Sequence, residues 1–365
     1  MQQNKRTCLY PRHEAMGALI CPFGGFDMPI QYTDIISEHQ AVRQACGMFD
    51  VSHMGEFRVT GKDATAFVNH IFTNDMTQAA DGQILYGMML NPSGGVVDDL
   101  LVYRYNPEHY LLVVNASNID KDWEWVTGNS GKFDVDIQNL SDETGELAIQ
   151  GPEAEKAMVD VLGIPCADLT FYTFGEYTFN GAPVLVSRTG YTGEDGFEIY
   201  ASHEITVQIW DTLLKNKAAL PCGLGCRDTL RFEVGLPLYG DELSDDITPL
   251  EAGLGIFVKF DKPEFIGREA LLRQKEEGLK RRIVGLELLD RNIARHGYEV
   301  LSPEGEVIGH ITTGYRGIST DRSIAMALID ARYAAKDTEV KVRIRRKEIP
   351  ARVVAKKFYK KSYKK

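Results

Sequence analysis

The chain has 365 residues, 44% hydrophobic and 25% charged, and 41 Lys/Arg against 52 Asp/Glu give a formal charge of −11. That length and balance predict two or three domains with their own cores and exclude a long disordered or low-complexity scaffold. No apolar run approaches the ~18 residues of a membrane helix, and Met1-Gln-Gln-Asn-Lys-Arg6 lacks the apolar core of a signal peptide, so the expected location is the cytoplasm, with no membrane partner. In chain order, the first 50 residues hold turn signals at Gly24-Gly25 and Pro29 and a helical stretch over 36–47. Residues 56–60 alternate apolar and polar, the period of a half-buried strand, and Ala64, Phe67, Val68 and Ile71 recur at helical spacing. A strand over 84–90, a turn at Asn91-Pro-Ser-Gly-Gly95 and a return strand over 96–105 follow. A strand over 110–115 then leads into a helix that Ser117 or Asn118 can cap. The next unit opens with a strand over 147–150, stopped by Gly151-Pro152 ahead of a helix over 153–162. A hairpin turning at Asn180-Gly181 comes next, then a loop punctuated by Gly190, Gly193 and Gly196, a strand over 197–201 and a helix over 205–215. Beyond residue 280 only strands are predicted, over 283–288, 307–312, 323–328, 339–345 and 349–354, so the C-terminal domain is all-β, with the basic stretch 273–282 as its linker.

Charge and ligand chemistry narrow the function classes. Residues 341–365 hold twelve Lys/Arg and one acid, while the rest of the chain holds 29 bases against 51 acids. A basic end on an acidic body suits a polyanionic ligand or an acidic partner, and equally a solvated tail; nucleic acid fits poorly, because the body repels phosphates. The six cysteines form no CxxC pair and the eight histidines no HExxH, so reduced structural thiols and no metal are expected.

Three segments carry chemistry. Asp98 and Asp99 follow the Gly94-Gly95 turn early in a strand. Alternation sends the two carboxylates to opposite faces, so no close dyad is expected: one faces a pocket, the other solvent or a neighbour. A pair accepting backbone N–H groups beside the turn fits the same residues. The run Ser187-Arg-Thr-Gly-Tyr-Thr-Gly-Glu-Asp-Gly-Phe-Glu198 has three glycines in seven residues, which permit positive φ and close backbone approach to a ligand. Glu198 on the following strand suits a guanidine-like edge, such as that of an aminopyrimidine, through two parallel hydrogen bonds. A glycine-rich hairpin with a surface glutamate has the same signature. In Cys222-Gly-Leu-Gly-Cys-Arg-Asp228 the dinucleotide fingerprint lacks its third glycine and its leading strand. Gly225 instead suits the start of a helix over 228–234 that presents Arg227 to an anion.

Gly47-Met-Phe-Asp-Val-Ser-His-Met54, Gly94-Gly-Val-Val-Asp-Asp-Leu100, Val113-Val-Asn115, the 187–198 run and Gly223-Leu-Gly-Cys-Arg-Asp228 stand in the order and spacing of the glycine cleavage system T-proteins. The resemblance runs from about Thr7 to the basic end. It implies an α+β fold, a three-domain cloverleaf around a central folate channel with a C-terminal all-β, jelly-roll-like barrel. The implied divisions are 1–54 with 136–228 as the folate-binding domain, 55–135 with 229–280 as a second α+β domain, and 281–365 as the barrel.

The resemblance also implies an aminomethyltransferase. The one-carbon unit on the lipoyl arm of an H-protein passes to tetrahydrofolate, the co-substrate, with release of ammonia. The products are 5,10-methylenetetrahydrofolate and the dihydrolipoyl H-protein, and no metal takes part. Asp99 matches the catalytic carboxylate near folate N10, a base that also steadies a cationic iminium, and Asn115 lines the same pocket. Glu198 matches the holder of the pterin's amino-pyrimidine edge. Tyr86 and Tyr191 match aromatic neighbours of the folate, Met54 an apolar wall and Arg227 a ligand-contacting arginine. Asp98 is expected to matter less for turnover than Asp99. Lys360-Lys-Ser-Tyr-Lys-Lys365 replaces the arginines with which family members often end, so only an electrostatic role carries over, and Phe171 stands where a relative has tyrosine. Folate-binding regulatory or assembly relatives without transfer activity share the fold but erode these motifs. Demethylating oxidases of methylated glycines add a flavin domain for which this chain has no fingerprint.

Overall fold

Alternating apolar residues and glycine turns pair the strands of residues 4–360, the part of the chain described by the computed structural model, into two sheets, a small hairpin and a barrel. Lys361–Lys365, the far end of the basic segment, lie outside the described residues. The first sheet has five antiparallel strands in the order Ile84–Leu90, Val96–Asn106, His109–Val114, Gly55–Thr60 and Asp136–Asn139. Helix Ala64–Ile71 covers it, and its Ala64, Phe67, Val68 and Ile71 are buried against Phe57, Val59, Val102 and Leu112. The expected division at residue 136 cuts this sheet, because Asp136–Asn139 pairs with Gly55–Thr60 rather than with the strands that follow it.

The second sheet runs Phe174–Phe179, Ala182–Ser187, Gly196–Ser202, Thr144–Gln150, Gly47–Asp50 and Leu220–Pro221, with helix His203–Lys215 packed on it through Ile205, Ile209, Trp210 and Leu213. The Asn180-Gly181 hairpin forms as expected, both residues at positive φ, 51° and 81°. Six antiparallel strands then close the C-terminal barrel: Arg281–Leu288, Ser323–Asp330, Val307–Arg316, Glu299–Leu301, Glu339–Ile344 and Lys347–Val354. The architecture is α+β with an all-β C-terminal barrel. Among the described residues no helix is long and apolar enough to cross a membrane.

Several elements depart from the sequence reading for local reasons. The helix expected over 36–47 is Ile35–Gln44, capped by Asp34, which accepts from Ser37 N at 2.9 Å. Gly47 belongs to a strand so tightly packed that a Cβ there would meet Val42 Cγ2 at 2.4 Å. The helix expected over 153–162 is one α turn, Ala154–Lys156, followed by a π turn, Ala157–Val161. The stretch 273–282 is no linker: helix Arg268–Glu277 fills the first half of it and the first barrel strand starts at Arg281. Strand Glu299–Leu301 escaped notice because three residues are too few to show alternation. The helix expected over 228–234 begins four residues earlier, at Leu224, because the N–H of Gly223 is held by Glu38 Oε2 at 2.8 Å. That start puts Arg227 inside the helix, on its first turns.

The two sheets meet through a shared cluster of Ile84, Tyr103, Leu111 and Val113 with Phe174, Leu185 and Tyr200. Tyr103 of the first sheet donates to Ser187 Oγ of the second at 3.1 Å and shares a 2.8 Å hydroxyl contact with Tyr200. Helix Leu224–Glu233 joins both sheets to the barrel through Arg231 and Asp228.

Candidate active site

The turn before the acidic pair is forced by close packing: Gly94 has φ +89°, and a Cβ on Gly95 would meet Asp245 O at 1.7 Å. Beyond it the strand Val96–Asn106 brings Asp99 opposite Met88, so that Tyr86, two residues along on the same face, reaches it. The Tyr86 hydroxyl donates to Asp99 Oδ2 at 2.9 Å. From the end of the neighbouring strand, Asn115 Nδ2 lies 2.9 Å from Asp99 Oδ1, 3.0 Å from Asp99 O and 2.9 Å from Asp98 Oδ1.

One amide therefore spans both carboxylates. The side chains leave opposite faces, but the Asn115 side chain, just past the end of the neighbouring strand, bridges them. Asp98 is 0% exposed and faces a neighbour rather than solvent, accepting from Asn115 N at 2.9 Å and Asn118 Nδ2 at 2.6 Å. Asn118 occupies the cap position of helix Ile119–Gly128, yet its side chain caps nothing and is given to Asp98 instead.

This environment sets the proton affinity of Asp99. Burial and then the charge of Asp98 push its carboxyl up to about 7, against the opposing hydrogen bonds from Tyr86 and Asn115. A carboxylate poised near neutrality is suited to taking a proton in one step and releasing it in the next. Burial, reinforced by Asp99, keeps the Tyr86 phenol protonated, so it acts as a donor.

The second half of the site comes from the glycine-rich run. Gly193 at φ +81° turns the loop, and Glu198 lies on the strand behind it, 8% exposed. Thr189 Oγ1 donates to Glu198 Oε2 at 2.5 Å, and Oε1 meets no donor among the described residues. Burial raises the Glu198 carboxyl, while Thr189 and the nearby Arg227 charge lower it. The Arg227 guanidinium lies 4.6 Å over the Tyr191 ring and makes no hydrogen bond or ion pair among the described residues, leaving its donors for a ligand. Tyr191 is anchored by its hydroxyl on Pro237 O and feels the charges of both Asp99 and Arg227, so it stands between the two halves. Met54, in the turn joining the sheets, packs with Phe49 and Ala148 on one side and with Tyr103 and Val113 on the other.

The structure thus brings Asp99, Asn115, Tyr86, Tyr191, Arg227, Glu198 and Met54 into one continuous neighbourhood between the sheets and the helix that meets the barrel. All but Glu198 are half-buried. Phe171 packs edge-on against Tyr172 at 4.5 Å, and Tyr172 in turn neighbours Tyr86. Sequence reasoning missed Thr189, Asn118, Asp122 and Phe257, whose ring meets that of Tyr86 at 4.8 Å. The i, i+4 spacing of Asn118 and Asp122 signals a shared helix face; nothing local signals Phe257.

Two family profiles cover the chain: residues 9–262 match the GCVT N-terminal domain and residues 281–360 the glycine cleavage T-protein C-terminal barrel domain. The chain is 52% identical to the aminomethyltransferase of Caldanaerobacter subterraneus subsp. tengcongensis, over 99% of this chain and 97% of that protein. It is 50% identical to the aminomethyltransferase of Thermoanaerobacter pseudethanolicus over the full length of both. The crystal structure of glycine cleavage system aminomethyltransferase T from Bartonella henselae superimposes with a TM-score of 0.94 at 33% identity, covering 99% of each chain. With both domains matched and half its residues shared with such relatives, the chain belongs to the glycine cleavage T-protein family.

Proposed function

We propose that this protein is the aminomethyltransferase that moves a one-carbon unit from the aminomethyl-lipoyl arm of an H-protein to tetrahydrofolate. The observation that carries the reading is the pairing of a near-neutral carboxyl, Asp99, with an unsatisfied acceptor and donor, Glu198 Oε1 and the Arg227 guanidinium, in one lined neighbourhood. Tetrahydrofolate supplies two nucleophilic nitrogens, whose N–H protons pass to the departing sulfur and ammonia as the carbon forms its two new bonds.

The chain's own groups do the rest. Glu198 accepts from the amino-pyrimidine edge, with Thr189 fixing its other oxygen. Arg227, held flat on Tyr191, donates to a carbonyl or carboxylate of the folate. Met54, Tyr86 and Tyr191 wall the ring system and keep water from the carbon in transit. Asp99, aimed by the Tyr86 hydroxyl and the Asn115 amide, takes a proton from the attacking nitrogen and stabilises the positive charge on the carbon. In this reading the folate channel runs between the two sheets and the helix Leu224–Glu233. The basic end adds electrostatic attraction for an acidic H-protein or a polyglutamate tail.

The test is transfer from an aminomethylated H-protein with and without tetrahydrofolate. The reading expects methylene-tetrahydrofolate and stoichiometric ammonia only when folate is present. Folate binding without turnover in the wild type would instead support a non-catalytic folate-binding role.

A further inference from the structure

Behind the catalytic carboxyl lies an acid that the proposed reaction does not use. Asp122 sits one turn after Asn118 in helix Ile119–Gly128, on the same helix face, and is 0% exposed. It comes within hydrogen-bonding reach of Asp98, yet neither of its oxygens meets an N–H or O–H donor among the described residues. Two buried carboxyl groups in contact with no donor between them either repel or share a proton. Asp98 accepts from three nitrogens, Asn115 N, Asn115 Nδ2 and Asn118 Nδ2, and these favour its charged form. Asp122 has no such donor, so the shared proton belongs to it.

We propose that Asp122 is a positioning residue that donates a carboxylic proton to Asp98 and, through Asp98 and the Asn115 amide, holds Asp99 in its working orientation. The surrounding groups agree with this assignment. Asp98 faces Asp122 from the strand Val96–Asn106, and the charge of Asp99 acts on it from farther away. The neighbouring cation, Lys121, donates to Val97 O and the Tyr239 hydroxyl at 2.6 Å each, not to Asp122, and its charge opposes the Asp122 proton without outweighing burial. Tyr239, with Asp245 beside it, completes the surroundings. Burial, with the Asp98 charge adding to it, pushes the Asp122 carboxyl up to about 11. Without that proton, Asp98 keeps an unsatisfied lone pair and its charge acts undiminished on Asp99. It also loses a constraint on the oxygen that holds Asn115.

The inference rests on the proposed role of Asp99 only for its kinetic arm, so the experiment has a second arm that does not. In the infrared difference between wild type and Asp122→Asn at pH 7, a carboxylic C=O stretch is expected to vanish. In steady-state transfer assays Asp122→Asn, whose amide still donates to Asp98, is expected to keep kcat within about threefold, with an unmoved pH profile. Asp122→Leu is expected to lose on the order of tenfold or more in kcat, with KM for tetrahydrofolate within about threefold and the acid limb of the profile displaced. The proposal is overturned if no carboxylic band is lost in Asp122→Asn. It is equally overturned if folded Asn and Leu variants are equally impaired, or if Asp122→Leu matches wild type. Should the Leu variant not fold, the infrared band and the Asn variant still decide. Absence of transfer activity in the wild type would remove the functional reading while leaving the infrared result to judge this one.

Discussion

At Asp99 the residue-scale physics is a competition in which burial and the Asp98 charge outweigh two donated hydrogen bonds. The sign follows directly. A carboxyl raised from its ordinary range to about 7 is protonated below that pH, so kcat/KM is expected to fall as pH drops through about 7 and to level above it. A pH–rate profile checks this. Asp99→Asn is expected to lose about 10²- to 10⁴-fold in kcat, the span of one positioned general base, while KM for tetrahydrofolate stays within a few-fold. Because native Asp99 holds its proton more tightly than an unfolded aspartate, wild-type stability falls as pH rises from about 4 to 7. The Asn variant should therefore melt above wild type at pH 8, by a margin that narrows at pH 5 in calorimetric scans. At Glu198, replacement by Gln leaves an amide facing a donor edge, and calorimetry should show folate affinity weakened by about 1–3 kcal/mol. The residue types of this site were legible in the sequence, since all seven nominated side chains converge. The service of Asp98 was not. Strand alternation describes where a side chain leaves the backbone, and an amide just past the end of the next strand can still reach both carboxylates.

At the scale of elements, glycines place the loops that place the site, and two of them separate backbone strain from crowding. Gly181 and Gly193 both have φ +81°, but a Cβ at Gly181 meets nothing within 4 Å, whereas at Gly193 it would meet Val234 Cγ1 at 2.4 Å. Gly181→Ala is expected to cost about 1 kcal/mol and to leave folate binding alone. Gly193→Ala is expected to cost about 2–3 kcal/mol and to weaken folate binding as well, because Tyr191 and Glu198 flank it. Urea unfolding and calorimetry of the two variants read both quantities. Helices and strands with a strong period, such as Ala64–Ile71 and the Asn180-Gly181 hairpin, were readable from local pattern. Boundaries set by distant partners were not: the start at Leu224 depends on Glu38, far away in sequence, and the charged stretch 273–282 hid a helix because charge is compatible with an exposed helix face.

Across the whole molecule, one buried arginine ties the site helix to the barrel. Arg231 is 0% exposed and donates to Asp228 Oδ1 at 2.7 Å, Glu242 Oε2 at 2.8 Å and Thr313 Oγ1 of the barrel at 3.3 Å. Thr312 and Thr313 each donate to Glu242 Oε1 at 2.6 Å. Arg231→Met leaves Glu242 buried without its cation, at an expected cost of about 3–5 kcal/mol. A single calorimetric transition should then separate into two as the barrel uncouples. The all-β character of the C-terminal domain was plain in the sequence, but this junction was not, since its partners lie up to 82 residues apart in the chain. The central claim is that one folate spans the two halves of the site, and the most direct test is a crystal structure of the complex with tetrahydrofolate. The account predicts the pteridine edge paired with Glu198 and the N5–N10 region against Asp99; a folate seated away from either carboxyl would contradict it.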